Sequence, residues 1–267
     1  MQVGVSTASF YNTCVLEDAP ARIASIGASL AEVFLNTFSE YEDDFILLLK
    51  DRILEEKLSI YSVHPMGTQF EAQLFSMHPR QQADAFKIFE QVLRAGKLLN
   101  AQYYVMHGPA GHYGTIKNMH LDQIGPVTHD LCALASEYGI KIAWENVSWC
   151  MFSEPDFGMR LMDAAKTNDL RFTMDIKQAV RSGYTPFDYI HAMREYCVNL
   201  HVCDYAFQNG NVVPMLPGYG ECNLLAIKEA LLKYNYTGPA FLEVYSDLYK
   251  SDEELQKSYR WICSQLN

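Results

Sequence analysis

The sequence is poor in the features that mark fibrous, disordered, disulfide-rich or membrane proteins. It has 15 Gly and 10 Pro among 267 residues, too few for a collagen-like or low-complexity chain. Its 7 cysteines are odd in number and include no C-x-x-C pair, which argues against a disulfide framework or a structural zinc knuckle. No apolar run approaches the length of a membrane span, so we expect no membrane association. A hydrophobic content of 49% instead predicts a globular chain with a full core.

Positive charge is also scarce. The chain has 21 Lys and Arg against 32 Asp and Glu, which gives a net charge of −11. Such a surface repels a nucleic-acid backbone, so we expect no nucleic acid partner. The N-terminal residues MQVGVSTASF lack the charged and apolar regions of a secretory signal, and the sequence therefore predicts a cytoplasmic protein.

Strand-like and helix-like segments alternate through the whole chain. The apolar runs predict strands at residues 3–7, 30–36, 58–65, 101–109, 140–145, 171–175, 198–203 and 239–244. The amphipathic segments predict helices at residues 16–27, 40–57, 79–98, 116–138, 155–166, 186–195, 222–234 and 252–265. Eight such units without a linker predict an α/β fold, a single parallel (β/α)8 TIM barrel over residues 1–267. A doubly wound open sheet is the alternative, although its dinucleotide-binding form would need a G-x-G-x-x-G after the first strand.

Polar side chains stand at the carboxyl ends of most predicted strands. The stretch KIAWENVSWC is the clearest case, because Glu145 ends an apolar strand where an unpaired charge would be costly. The carboxyl ends of barrel strands meet on one face, so groups from distant strands come together there. The residues expected on this face are His64, His107, Glu145, Asp175, His201, Asp204 and Glu243.

Four of these residues predict a metal site, namely Glu145, Asp175, His201 and Glu243. Carboxylates held so close together repel one another unless a cation lies among them. An oxygen-rich site with one imidazole suits one divalent metal ion, with Mn2+ or Mg2+ favoured and Zn2+, Co2+ or Fe2+ as alternatives. Taken singly, each residue is better interpreted as a paired core group or a helix cap, and only the set together favours a metal site.

Short motifs stand at the strand ends in a characteristic order. They are H-P at 64–65, M-H-G at 106–108, W-E-N at 144–146, M-D-I-K-Q at 174–178, L-H-V-C-D at 200–204, P-G-Y-G-E at 217–221 and F-L-E-V at 241–244. This set resembles the xylose isomerase-like TIM-barrel superfamily, which includes sugar isomerases and epimerases and the endonuclease IV type of apurinic-site nuclease. By this resemblance, the residues that match the ligands of one divalent metal in ketose epimerases are Glu145, Asp175, His201 and Glu243. The resemblance implies proton transfer through a metal-stabilised enediolate, with Glu145 and Glu243 as base and acid.

Departures from the family pattern bear on the activity. Gln178, Val212 and Pro214 stand where endonuclease IV-like enzymes have further ligands of a three-metal cluster. A phosphodiester hydrolase is therefore disfavoured, in agreement with the acidic surface. Ketose 3-epimerases have a glutamate at the position of Met151 and a histidine at the position of Gln178. They also have an arginine after the histidine of the seventh strand, and this chain has no arginine between His201 and Gly220. The particular sugar is therefore left open.

The remaining polar residues predict contacts with a small-molecule carbohydrate substrate, and they are His64, His107, Lys177, Gln178 and Asp204. Lys177 could orient a substrate oxygen or stabilise an oxyanion, or it could simply pair with Asp175 or Asp204. The glycines of P-G-Y-G-E could cradle an anion or form a tight turn. Basic residues are few in these loops, which favours an unphosphorylated substrate. Loops 66–78 and 109–115, with Met66, His112 and Tyr113 among their residues, could form a lid.

The sequence thus predicts a divalent-metal-dependent sugar isomerase or epimerase acting on a keto-sugar, polyol or sugar phosphate. A dehydratase or lyase acting on a cyclic polyol at the same site is the nearest alternative. An endonuclease IV-like hydrolase and a barrel that binds a sugar without turnover are the others. Aromatic loops at an exposed barrel rim also predict a homo-oligomer.

Overall fold

Eight parallel strands close into a barrel in the computed structural model, which describes residues 1–110 and 120–267. The barrel strands are β1 Val3–Ser6, β2 Leu30–Leu35, β3 Ser59–Pro65, β4 Tyr103–Met106, β5 Lys141–Glu145, β6 Arg171–Asp175, β7 Cys197–Val202 and β10 Ala240–Leu242. Two further strands, β8 Asp204–Gln208 and β9 Asn211–Met215, form a separate hairpin. β1 to β7 are neighbours in chain order, and β10 pairs with both β7 and β1 to close the ring. The predicted parallel (β/α)8 TIM barrel is confirmed.

Helices follow the barrel strands around the outside. They are α1 Ala19–Ile26, α2 Asp43–Glu55, α3 Glu71–Leu74, α4 Pro79–Leu98, α5 Leu121–Glu137, α6 Phe157–Ala165, α7 Ile176–Arg181, α8 Pro186–Met193, α9 Leu224–Leu232 and α10 Asp252–Leu266. The short helices α3 and α7 were not predicted, and residues 116–119 of the helix expected at 116–138 lie outside the described residues. Within the two described ranges, none of the helices is both long enough and apolar enough to cross a membrane.

The strands are apolar because the barrel buries them on both faces. Every residue of β2, LAEVFL, is buried, including Glu32 in its middle. The covering helices contribute one apolar stripe each; α4, for example, begins at Pro79 and buries Phe89, Val92 and Leu93. This burial on both sides is typical of parallel strands, which read as continuous apolar runs. An acid inside such a run, as at Glu32, is therefore a feature that needs a partner.

Strand register brings the polar residues to one end of the barrel. Asp175 on β6 lies beside His201 on β7, and Glu145 on β5 lies beside Thr173 on β6. Glu243 directly follows β10, where its backbone N–H donates to a β7 carbonyl oxygen at 3.2 Å. The carboxyl ends of β5, β6, β7 and β10 thus present their polar side chains to the same space.

An antiparallel hairpin interrupts the alternation after β7. Its strands β8 and β9 pair from Asp204 with Met215 to Gln208 with Asn211. The turn residues Asn209 and Gly210 have φ of 52° and 80°, as a two-residue hairpin turn of the primed type requires. No strand was predicted between residues 203 and 222, so the hairpin corrects the sequence prediction there. The Asn-Gly dipeptide, with Phe207 and Val212 two positions away on either side, was the signal that would have identified it.

Candidate active site

Four side chains converge at the carboxyl end of the barrel, and we call them the ligand cluster: Glu145, Asp175, His201 and Glu243. His201 Nδ1 lies 2.8 Å from Glu243 Oε2 and 3.4 Å from Glu145 Oε1. Ligand atoms of Glu145, Asp175 and His201 all lie within 4.8 Å of one another. The residues that the sequence singled out as metal ligands are therefore neighbours in space.

Each member of the ligand cluster has one buried atom whose hydrogen-bonding capacity the described residues do not satisfy with a well-aligned bond. The atoms are Glu145 Oε2, Asp175 Oδ2, His201 Nδ1 and Glu243 Oε2, and their nearest described partners are ion-pair contacts of 2.8 to 3.3 Å. Buried polar atoms in proteins normally have a hydrogen-bond partner. Metal bonds of about 2.0–2.2 Å to nitrogen and oxygen place the ligand atoms of one ion roughly 3 Å apart. The spacing and the donor types of Glu145, Asp175 and His201 fit one divalent ion, and Glu243 lies beside them at 2.8 Å from His201 Nδ1.

The electrostatics of the cluster also favour a cation. Burial opposes the charge on His201, but the surrounding carboxylates, led by Glu243, raise the pKa of this imidazole well above its ordinary value. Burial likewise opposes ionisation of Glu145, yet His201 and His107 hold the pKa of this carboxyl well below its ordinary value. The same carboxylates that draw a proton onto the imidazole would be neutralised by a metal ion.

Two further histidines stand beside Glu145. His64 Nε2 and His107 Nε2 are 2.9 Å apart, and they lie 3.8 Å and 3.1 Å from Glu145 Oε2. Burial opposes protonation of His107, but Glu145 outweighs it and raises the pKa of the imidazole. Both histidines line the cavity described below, as expected for residues predicted to contact a substrate.

Lys177 lies between the ligand cluster and an aromatic ring. Its Nζ is 3.3 Å from Asp175 Oδ2 and 4.7 Å from the centre of the Tyr245 ring, and the residue is 4% exposed. Burial opposes the charge, but Asp175 holds the pKa of Lys177 well above its ordinary value. Lys177 also lines the cavity, so its pairing with Asp175 and the predicted contact with a substrate are compatible.

Gln178 connects two of the loops that carry the site. Its Oε1 accepts hydrogen bonds from Ser148 Oγ at 2.7 Å and Ser148 N at 3.2 Å. Its own backbone N–H donates to Asp175 Oδ1 at 2.6 Å. Gln178 lines the cavity as well, although its side-chain oxygen is directed to the loop after β5.

Asp204 occupies a different environment from the one expected of a substrate-binding residue. Its carboxylate is buried and accepts four backbone N–H bonds of 2.8 to 3.0 Å, donated by Tyr205, Gly218, Gly220 and Cys222. The amides of P-G-Y-G-E that could have cradled an external anion are thus taken by a carboxylate of the chain itself. These contacts hold the loop in a tight turn, and Asp204 is not among the described residues that line the cavity.

Two buried glutamates were not recognised as site residues from the sequence. Glu32 on β2 is fully buried, and its Oε1 lies 3.1 Å from His201 Nε2. Glu71 is also fully buried and accepts hydrogen bonds from Tyr104 Oη at 3.0 Å and from the backbone N–H of His107 at 3.0 Å. The position of Glu32 within an apolar strand was a usable signal, whereas Glu71 lies in a segment interpreted as a polar loop.

A cavity of about 490 Å3 opens above the ligand cluster, a size suited to a small ligand. Tyr11, Phe34, Met66 and Trp149 give it apolar lining. Its polar lining consists of Asn12, His64, His107, Glu145, Lys177, Gln178, Glu243, Ser246 and Asp247. Apolar faces next to a row of hydrogen-bonding groups match the two kinds of surface that a sugar ring presents.

The predicted lid is described only in part. Met66, from the loop 66–78, lines the cavity. Phe70 and Phe75 from the same loop are buried in the core and support it from below. His112 and Tyr113, from the second predicted lid segment, lie outside the described residues.

Comparison with protein families gives one match, over residues 20–265, to the family described as xylose isomerase-like TIM barrel. The chain belongs to this family. The resemblance that rested on short strand-end motifs is thereby confirmed over nearly the whole chain. A search of curated proteins gives no match.

Solved structures with the same fold include proteins of several activities. D-psicose 3-epimerase with D-tagatose, from Clostridium cellulolyticum H10, has a TM-score of 0.82 at 15% identity and covers 100% of both chains. The IOLI protein with a binding zinc atom has a TM-score of 0.82 at 15% identity, covering 100% of this chain and 98% of its own. The probable 3-DHS dehydratase AsbF from Bacillus anthracis has a TM-score of 0.77 at 12% identity, with coverage of 98% and 99%. At these identities the likeness concerns the fold.

Proposed function

We propose that this family member is a divalent-metal-dependent isomerase or epimerase of a small carbohydrate. The observation that supports the proposal is the ligand cluster, in which Glu145 and Glu243 line a sugar-sized cavity and His201 contacts both of them. Epimerases among the proteins of similar fold agree with this activity. The donor set of three carboxylates and one imidazole favours Mn2+ or Mg2+, with Zn2+, Co2+ and Fe2+ as alternatives.

Glu145 and Glu243 are the proposed proton-transfer groups. A divalent ion held by the cluster would polarise a substrate carbonyl and acidify the neighbouring carbon-bound proton. One glutamate takes that proton, and the electron pair of the broken C–H bond moves into an enediolate. If the other glutamate returns a proton to the opposite face of the same carbon, the product is an epimer. Return to the former carbonyl carbon gives the isomeric sugar.

The remaining cavity residues are proposed to hold the substrate. The two cavity histidines, His64 and His107, can donate to or accept from sugar hydroxyl groups beside Glu145. Lys177 has three N–H donors, and Asp175 is its one carboxylate partner among residues 1–110 and 120–267, so donors remain for a substrate oxygen. The apolar faces of Phe34 and Trp149 can pack on the C–H face of the sugar.

Product analysis in D2O across a panel of keto-sugars, cyclic polyols and sugar phosphates tests this proposal. We expect the metal-loaded protein to convert at least one panel member into an isomer or epimer that carries one carbon-bound deuterium. Glu243→Gln and Glu145→Gln should each abolish both conversion and deuterium uptake. Glu137→Gln, a change at an exposed glutamate on α5, is the matched control and should retain activity.

Two results of this experiment would overturn the proposal. Loss of water from the product in place of rearrangement would assign the site to a dehydratase, since the same proton abstraction can end in departure of a hydroxyl group. If the protein binds a sugar but exchanges no carbon-bound proton in any panel member, it is a sugar-binding barrel without catalytic activity.

A further inference from the structure

Glu32 is a fully buried carboxylate in the centre of the barrel, below the ligand cluster. It is on β2, between apolar neighbours, and its side chain has no solvent exposure. Ser6 Oγ donates to Oε1 at 3.2 Å, and Ser62 Oγ and Asn199 Nδ2 donate to Oε2 at 2.7 and 3.0 Å. Side chains from β1, β3 and β7 thus fix this carboxylate from three sides. Burial of a charge costs free energy, and an apolar side chain would fill the core without that cost. A carboxylate held by such a network therefore indicates a functional role.

The carboxylate contacts the imidazole of the ligand cluster on the side away from the cavity. His201 Nε2 lies 3.1 Å from Glu32 Oε1 and 3.2 Å from Oε2, whereas His201 Nδ1 faces Glu145 and Glu243. A neutral imidazole has one N–H donor and one lone pair, and the partner of one nitrogen decides which is which. Donation from Nε2 to Glu32 leaves the lone pair on Nδ1, the atom directed at the other cluster members.

Asn199 offers the only competing hydrogen bond to His201 Nε2 that the described part of the chain contains. Its Nδ2 lies 3.1 Å from His201 Nε2 and 3.0 Å from Glu32 Oε2. If His201 Nε2 accepted from Asn199, its lone pair would face the carboxylate at 3.1 Å, and two acceptors would be in contact. A proton on Nε2 removes this conflict, and Asn199 then donates to Glu32 alone.

Glu32 reaches a second histidine on the same side. His64 Nδ1 lies 3.6 Å from Glu32 Oε1, and its other nitrogen, Nε2, faces His107 and Glu145 at the cavity. One carboxylate therefore lies behind two imidazoles whose opposite nitrogens both point towards the proposed reaction site.

We propose that Glu32 is a positioning residue for the metal site: by accepting the Nε2–H of His201 it fixes the ring and its tautomer, so that Nδ1 is available as a ligand. The inference rests on the proposed metal-dependent function. It adds a carboxylate from β2 to a site otherwise built by β5, β6, β7 and β10. A carboxylate behind a ligating imidazole also increases the basicity of that imidazole, which strengthens its bond to a metal.

Metal affinity of Glu32→Gln, measured by calorimetry with Mn2+ and Zn2+, tests the inference. Glutamine keeps the shape of the side chain but removes its charge, and we expect metal binding to weaken by about ten- to hundredfold. Glu137→Gln, at an exposed glutamate of α5, is the control, because it removes the same charge at a position outside the site. Its metal affinity should stay within about twofold of the unaltered chain.

A spectroscopic measurement on the unaltered chain covers the case in which Glu32→Gln does not fold. In zinc-loaded protein labelled with 15N-histidine, His201 should show a slowly exchanging proton on Nε2 and a metal-shifted resonance for Nδ1. Assignment follows from the spectrum of His201→Gln. A proton on Nδ1, or zinc on Nε2, would overturn the inference.

The outcomes separate this inference from the proposed function. If the unaltered chain binds metal and Glu32→Gln binds it with the same affinity, the inference is overturned and the proposed function is not. Weakened metal binding without turnover on any panel substrate would support it while contradicting the proposed activity. A folded, unaltered chain that binds no divalent metal would overturn both.

Discussion

The two oxygens of Asp175 have different partners. Its Oδ1 accepts the Gln178 N–H and begins α7, while its Oδ2 lies 3.3 Å from Lys177 Nζ. The bond to the backbone fixes the side chain before any ligand arrives, which is what a precise metal site needs. Glu32 does the same for His201 from below.

Lys177→Met tests the proposed contact between this ammonium group and the substrate. Methionine keeps the apolar stem but removes the donors, and a hydrogen bond to a charged group contributes about 1.5–3 kcal/mol. We therefore expect KM to rise about tenfold or more, with a smaller change in kcat, in steady-state assays with the best panel substrate. Lys233→Met, at an exposed position after α9, serves as the control. If folded Lys177→Met has an unchanged KM, Lys177 does not contact the substrate and only pairs with Asp175.

Glu32 and Glu145 carry similar sequence signals, because Glu32 is an acid inside an apolar strand and Glu145 is an acid at the end of one. The sequence did not show which side chains would form hydrogen bonds with Glu32. Ser6, Ser62 and Asn199 meet Glu32 only because the strand register turns them inward at the same level of the barrel. Such contacts depend on side-chain direction across several strands, which a pattern along one strand does not encode.

The loop after β9 is held by one side chain rather than by an external anion. Asp204 accepts three backbone N–H bonds from this loop, from Gly218, Gly220 and Cys222, and a fourth from Tyr205 in β8. Its position in the L-H-V-C-D motif predicted a substrate contact, since a sequence does not tell an acid that faces a cavity from one that faces a backbone turn. The Asn-Gly turn of the hairpin, by contrast, was readable from the sequence.

Asp204→Asn should destabilise this loop and with it the fold. The amide NH2 of asparagine would face two backbone N–H donors, and we expect the free energy of unfolding to fall by about 2–4 kcal/mol in urea titrations. Asp130→Asn, at an exposed position of α5, should change it by no more than about 0.5 kcal/mol. If Asp204→Asn keeps full stability but raises KM, the residue contacts substrate as the sequence predicted.

The turn after β4 requires glycine for two reasons. Gly108 has a φ of +72°, and a Cβ there would clash with the indole of Trp144. Gly108→Ala should therefore cost about 2–4 kcal/mol of unfolding free energy, from backbone strain together with overpacking. Gly139→Ala isolates the strain, since φ is +74° with nothing within 4 Å of the added carbon, and should cost about 1–2 kcal/mol. Equal losses in the two variants would contradict the predicted clash.

Alternation of apolar strands and amphipathic helices was enough to predict the whole barrel. The pattern succeeds because burial on both faces selects apolar residues at nearly every strand position, as in β2. The predicted homo-oligomer, by contrast, stays a prediction. It depends on which exposed aromatic side chains, such as Phe207 and Tyr219, meet a second chain.

Metal binding should stabilise the whole molecule, because the ligand cluster gathers residues from separated parts of the sequence and exists only in the folded chain. A free metal concentration about 100 times the Kd stabilises the folded state by about 2.7 kcal/mol. For a chain of this size, that corresponds to a rise in Tm of roughly 5–10 °C in thermal melts with and without metal. Asp175→Asn should show a much smaller rise. The same rise in this variant would place the ion elsewhere.

The most direct test of a metal-dependent proton transfer is the uptake of carbon-bound deuterium from D2O by a panel substrate, before and after metal removal. We expect no uptake by the chelator-stripped protein and full uptake after addition of one equivalent of Mn2+ per chain. Equal uptake in the stripped and restored protein would contradict the metal dependence. No uptake by the metal-loaded protein with any panel member would contradict the proposed isomerase or epimerase activity itself.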